Sequence, residues 1–163
     1  MRASRQTTKL FIGLLLSFGL CCPGFLIADE AAHDLAIKSR ATASWKLAQE
    51  RASRGNVSDL IENMDKMLAS RTPALTRADI GTTDKKVQEI LNLGWKSEAM
   101  TWWKVAQERA AKQGVGEYVE YMDKALASAV PPLTRASIGV TDEKVWDILA
   151  KGNINTNTKK SNH

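Results

Sequence analysis

The feature that most constrains the fold is an internal repeat. Residues 45–94 align without a gap to residues 103–152, and 29 of the 50 aligned positions are identical. WKLAQERA and WKVAQERA begin the two copies, MDKMLAS and MDKALAS follow, and LTRADIG and LTRASIG come near the end. Such self-similarity indicates a tandem duplication, in which one structural unit of roughly 58 residues is used twice.

Apolar periodicity predicts three helices in each copy. The first covers about residues 41–54 and 96–113, and the second about residues 57–70 and 115–128. The third begins after Thr83 or Thr141 as N-cap residue and ends at Gly94 or Gly152. The second helix carries one apolar stripe, whose members in the two copies are Val57, Ile61, Met64 and Leu68, and Val115, Val119, Met122 and Leu126.

No stretch alternates with the two-residue period of a strand, so we predict an all-α fold that forms a compact helical bundle or a short solenoid. Residues 29–94 are the first helical repeat with an N-terminal helical extension, and residues 95–152 are the second; we call them the first half and the second half. Because each unit is small, we expect the halves to share one core. The polar residues 153–163 are predicted to form a disordered tail.

Residues 1–28 have the parts of a secretory signal peptide. A basic start precedes an uncharged apolar run, and the acidic stretch DEAAHD follows Ala28, after which we predict cleavage. Pro23 and Gly24 predict an extended segment ahead of that site. The protein is then secreted or periplasmic. The alternative is a membrane anchor through residues 10–28, because 19 apolar residues could just span a bilayer.

Removal of this segment narrows the possible functions. It carries three basic side chains and no acidic one, so the formal net charge falls from +5 to +2. Both cysteines are lost with it, which excludes disulfides, zinc-thiolate sites and a cysteine nucleophile. The only histidines, His33 and His163, lie outside the repeat and lack metal-ligand spacing. We therefore predict neither a metal site nor a cofactor.

Two functional classes remain as alternatives to a binding protein. The segment IGVTDEKVWDIL has the turn and spacing of a helix-turn-helix, but Asp142 and Glu143 stand where a recognition helix would meet phosphates, which disfavours nucleic-acid binding. An enzyme would need a carboxylate pair brought together in a cleft. The acids available in the two copies are Glu50, Glu62 and Asp65, and Glu108, Glu120 and Asp123.

A repeated arginine is the first candidate for binding. Arg77 and Arg135 each stand in an LTRA segment, where a guanidinium could bind carboxylate or phosphate groups bidentately. The competing interpretation is structural: each arginine ties its loop to a helix C-terminus or to an acid such as Asp65 or Asp123. We favour the structural interpretation, since both copies need the same fold whatever they bind.

Aromatic residues that occur in the second half alone are the other candidates. Trp102, Trp146, Tyr118 and Tyr121 stand where the first half has Ser44, Gln88, Leu60 and Asn63. They could form a binding surface or bury a contact between the halves, and the sequence leaves both open. The predicted function is that of an exported helical tandem-repeat protein, a periplasmic factor or secreted effector, that binds a protein or ligand of unknown identity. Membrane attachment is expected only if the N-terminal segment is not cleaved.

Overall fold

The computed structural model of the protein describes residues 23–160 except 111 and 113, with side chains from residue 30 to residue 152. Within that part all regular secondary structure is helical, so the all-α prediction is confirmed. The helices are α1 (Pro23–Arg51), α2 (Ser58–Ala69), α3 (Asp84–Glu108), α4 (Val115–Ala127) and α5 (Asp142–Lys160). Two short 3-10 helices, Arg77–Ile80 and Arg135–Ile138, lie between α2 and α3 and between α4 and α5.

The described residues divide into two compact units, one up to Ala36 and one from Ile37 onward, and α1 belongs to both. The backbone is helical from Pro23, so the predicted extended segment before Ala28 is wrong. Most of the predicted signal peptide, residues 1–22, lies outside the described residues. No helix in the described part of the chain is both long and apolar enough to cross a membrane.

The unit from Ile37 onward contains two hydrophobic cores. Trp45, Met64 and Val87 belong to the first core, which joins α1, α2 and the start of α3. Met122 and Val145 belong to the second core, which joins the rest of α3 to α4 and α5. The prediction of one shared core is therefore wrong. The 25 residues of α3 give it a length of about 37 Å, so its two ends reach separate clusters.

The predicted second helices and the starts of the third helices are confirmed. α2 and α4 bury the stripe that the sequence predicted, including Met64 and Met122. At the start of α3 the hydroxyl of Thr83 accepts a hydrogen bond of 3.3 Å from the backbone N–H of Lys86. Thr141 does the same for Lys144 at 3.4 Å, so both threonines cap their helices.

Gly94 and Gly152 do not end their helices. α3 continues through Gly94 to Glu108, and α5 continues through Gly152 to Lys160. The backbone of residues 153–160 is therefore helical, unlike the predicted disordered tail, and residues 161–163 lie outside the described part. A Cβ atom on Gly94 would lie 2.8 Å from the carbonyl oxygen of Gly55, and one on Gly152 would lie 2.6 Å from Val115 Cγ1. Each glycine therefore makes room for a neighbouring segment of chain. In the sequence alone, a glycine with this role looks the same as a glycine that ends a helix.

Thr82 supplies a test of core packing, because its hydroxyl is buried without a hydrogen-bond partner among the described residues. Thr82 is 1 % exposed, and Val140, at the matching position of the second half, is also 1 % exposed. We expect Thr82→Val to raise the free energy of unfolding by about 1 kcal/mol, since a buried unpaired hydroxyl is removed. The reciprocal change, Val140→Thr, should lower it by about 1–3 kcal/mol.

Urea denaturation of both variants measures these changes. A loss of stability in Thr82→Val would contradict the prediction, because it would mean that the hydroxyl forms a favourable bond in the folded protein.

Candidate functional site

Each repeated arginine ties its turn to the helices on both sides. Arg77 Nε donates to Asp65 Oδ1 of α2 at 2.9 Å, Nη2 donates to the other oxygen of that carboxylate, and Nη1 donates to Asp84 Oδ1 of α3 at 2.8 Å. The geometry recurs in the second half. Arg135 bonds Asp123 of α4 in the same bidentate way, with an Nε distance of 2.8 Å, and Asp142 of α5 at 2.7 Å.

These contacts confirm the ion pairs that the structural interpretation predicted. Hydrogen bonds from Arg77 to Asp65 raise the pKa of that guanidinium above its ordinary value, and Asp123 raises the pKa of Arg135 in the same way. Both cations are already engaged by carboxylates of this chain. An external anion would therefore have to compete with a charge-assisted bidentate pair, and the role of these arginines as binding residues stays a prediction.

Three of the four aromatic candidates come together on α3 and α4. The ring centroids of Trp102 and Tyr121 are 5.1 Å apart, those of Trp102 and Tyr118 are 6.1 Å apart and nearly parallel, and those of the two tyrosines are 6.4 Å apart and edge to face. We call this set the aromatic surface. Distances of this order are favourable for aromatic pairs, so each ring helps to fix the others.

Cations flank the aromatic surface on the tyrosine side. Arg109 Cζ lies 5.2 Å from the ring centroid of Tyr118, and Arg109 Nη1 donates to the Tyr118 hydroxyl at 2.9 Å. Lys124 Nζ lies 5.8 Å from the centroid of Tyr121 and 2.7 Å from Glu120 Oε1. The hydrogen bond to Glu120 is the main cause that raises the pKa of Lys124. Sequence reasoning did not identify Lys124 as part of a site.

A carboxylate orients the tryptophan of this surface. Trp102 Nε1 donates to Glu98 Oε1 at 3.4 Å, a long bond between residues one turn apart on α3. The other oxygen, Glu98 Oε2, is buried and has no hydrogen-bond partner among the described residues. Glu98 corresponds to Arg40 of the first half, so this acid is another residue particular to the second half.

The aromatic surface belongs to the second half. Trp102 and Tyr118 are partly buried against the second core, whereas Tyr121 remains 41 % exposed. Every buried residue of that core comes from residues 95–152, so these rings do not bury a contact between the halves. Trp146 on α5 is 70 % exposed, and among the described side chains no ring contact joins it to the other three.

A groove lies between the first half and the turn that follows α4. Its volume is about 680 Å³. One wall is α2, the other wall is formed by Gln88, Leu91 and Trp95 of α3, and Ser128 and Val130 also line the groove. The sequence did not predict this groove, because its walls come from segments whose relative placement depends on tertiary packing.

A side-chain amide holds Val130 of the groove lining in place. Asn92 Nδ2 donates to the carbonyl oxygen of Val130 at 2.8 Å, and the backbone N–H of Val130 donates to Asn92 Oδ1 at 2.9 Å. Gln88 Nε2 also donates to Asn92 Oδ1, at 3.0 Å. In the second half these two amides are replaced by Trp146 and Ala150. That loss of identity is the sequence signal that could have indicated a contact for which the second half has no counterpart.

Two of the six acids considered for a carboxylate pair line the groove, but from the same wall. Glu62 and Asp65 both stand on α2. Glu62 Oε1 is 2.5 Å from Lys66 Nζ, and Asp65 is held by Arg77. The described lining residues of the opposite wall, on α3, are apolar or carry an amide. Each acid is thus paired with a cation, Lys66 of α2 or Arg77 of the turn that follows, rather than with a second carboxylate.

Comparison with known proteins gives no relative to guide the assignment. No protein-family model, no curated protein and no solved structure matches the chain. Among the described residues, no group of three or more histidine, cysteine, aspartate or glutamate side chains is arranged to hold a metal ion. The features of the chain that could carry a function are therefore the aromatic surface, the groove and the repeated arginine contacts.

Proposed function

We propose that the chain is an exported all-helical binding protein that arose by tandem duplication of a unit of roughly 58 residues. It recognises a protein or ligand through the aromatic surface of its second half. The observation that carries this proposal is the contact of three aromatic rings at positions where the first half has small, aliphatic or amide side chains. Export rests on the signal-like composition of residues 1–28.

Local geometry supports the duplication. Arg77 and Arg135 bind matching carboxylates at nearly the same distances, as described above. The glycine after each 3-10 helix has a left-handed backbone, with φ of 73° at Gly81 and 72° at Gly139. A side chain there is strained, so glycine is the residue that this turn requires. Turns that stay the same in both halves while the surfaces differ are expected if duplication preserved the fold and one copy acquired a binding role.

The composition of the aromatic surface supports protein or ligand binding. Tryptophan and tyrosine are enriched among residues that dominate binding energy, because they bury much area with few rotatable bonds. Tyr121 is the most exposed ring of the three, and Arg109 and Lys124 beside the rings add polar contacts at the rim. Glu62 and Asp65 of α2 are each paired with a cation. This favours a binding function over a catalytic carboxylate pair, which needs two acids that face each other.

Affinity capture from cells that express the chain tests the proposal. We expect the double variant Trp102→Ala, Tyr121→Ala to recover the specific partner about tenfold less well, because truncation of central aromatic residues usually costs at least that much. The matched control changes the corresponding positions of the first half, Ser44→Ala and Asn63→Ala, and should bind as the unaltered protein does.

Folding is checked separately, since Trp102 packs against the second core. Thermal unfolding is measured for every variant, and the single change Tyr121→Ala, at an exposed ring, serves if the double variant is unstable. Equal recovery of the same partners by the folded aromatic variants and the unaltered protein would show that the aromatic surface is not the binding site.

A further inference from the structure

The groove offers chemistry that suits a polypeptide backbone. Asn92 already pairs with both the N–H and the carbonyl oxygen of Val130, a segment of chain outside any helix. Gln88, one turn earlier on the same side of α3, lines the groove. Its only hydrogen bond among the described residues is the one it donates to Asn92, so a carbonyl oxygen and a second N–H remain available.

The charges of the groove cancel. Glu62 is paired with Lys66, and Asp65 is paired with Arg77, so each carboxylate on the α2 wall is matched by a cation. A polyanion such as a nucleic acid would gain no net attraction here, and neither would a strongly basic segment. A ligand that is polar along its length but carries no net charge meets no electrostatic penalty, and a peptide backbone with neutral side chains has this character.

Apolar surface in the groove can accept such side chains. Leu91 and Trp95 are only partly buried, and Val130, which also lines the groove, is 59 % exposed. Trp95 and Trp102 are seven residues apart on α3, which is two helical turns and about 10 Å along one stripe. The groove and the aromatic surface therefore follow one another along the same side of α3.

We propose that the groove binds an extended, uncharged polypeptide segment of the partner protein. Gln88 pairs with its backbone as Asn92 pairs with Val130, and Leu91 and Trp95 contact its apolar side chains. The segment continues along α3 toward the aromatic surface. This inference rests on the proposed binding function and specifies the chemical class of the partner.

The test uses a phage-displayed library of random twelve-residue peptides as probe. Peptides that bind the unaltered chain are synthesised, and their dissociation constants are measured with the variant Gln88→Met, which keeps the length of the side chain and removes its amide. We expect about fivefold weaker binding, the usual consequence of losing one net hydrogen bond. The matched control is Gln107→Met on the exposed side of the same helix, which should leave the affinity unchanged.

The possible outcomes separate the two proposals. Weaker binding to Gln88→Met but not to Gln107→Met supports the groove. Peptides that lose affinity for the variant Trp102→Ala, Tyr121→Ala while binding Gln88→Met normally overturn the groove proposal and leave the aromatic surface as the site. Failure of the library to yield any binder also overturns it, as does binding of cellohexaose, a neutral glycan, in the absence of peptide binding.

Discussion

Replacing Gly94 with alanine is expected to lower the free energy of unfolding by about 1–2 kcal/mol. An added methyl group in a packed contact costs about 1–3 kcal/mol, and alanine returns up to about 1 kcal/mol of that through its higher helix propensity. The new Cβ would lie 2.8 Å from the carbonyl oxygen of Gly55 and 3.4 Å from the Cα of Asn56. Both are backbone atoms of the loop between α1 and α2, so the loop itself has to move away from α3.

Gly116→Ala is the matched control, because Gly116 also lies inside a helix, α4. A Cβ there would approach only Leu149 Cδ2, at 3.8 Å, which is an ordinary contact. The control should therefore raise stability by up to about 1 kcal/mol. Urea denaturation followed by far-ultraviolet circular dichroism measures both variants. If Gly94→Ala stabilised the protein as Gly116→Ala does, the result would contradict the close contact between Gly94 of α3 and the loop at Gly55.

Gly94 shows why one part of the fold could be predicted from the sequence and another could not. The periodic stripe of α2 and the cap at Thr83 depend on residues within one helix, and both were predicted correctly. The role of Gly94 depends on a loop almost 40 residues earlier in the chain. A helix-ending glycine and a glycine that admits a neighbouring backbone have the same local sequence, so the pattern favoured the commoner role.

The candidate site, too, could be predicted from the sequence only in part. The pairs of Arg77 with Asp65 and of Arg135 with Asp123 could be predicted, because the repeat places both partners at one fixed spacing. The aromatic surface could be predicted only as a set of residues. Which rings meet depends on how α3 packs against α4, and Trp146, on α5, is not among them. The groove depends on the placement of the two halves, and its one sequence signal is that Gln88 and Asn92 have no amide counterparts in the second copy.

The largest changes in the free energy of unfolding are expected from substitutions of the buried methionine in each core. Met64 and Met122 occupy matching positions, each 0 % exposed, in the first and second core respectively. Replacing either with alanine removes buried apolar atoms and leaves a cavity, so each change should lower the free energy of unfolding by about 2–5 kcal/mol. Met100→Ala on α3, where the side chain is 51 % exposed, is the control and should have little effect.

The double variant Met64→Ala, Met122→Ala distinguishes two cores from one. Residues that share no packing neighbours change stability additively, to within about 0.5 kcal/mol, whereas residues that share a core deviate by up to about 3 kcal/mol. We expect additivity, because the two methionines belong to different clusters, to both of which α3 contributes. Urea denaturation of the two single variants and the double variant gives the coupling energy directly. A coupling above about 1 kcal/mol would mean that the halves share one packed interior after all.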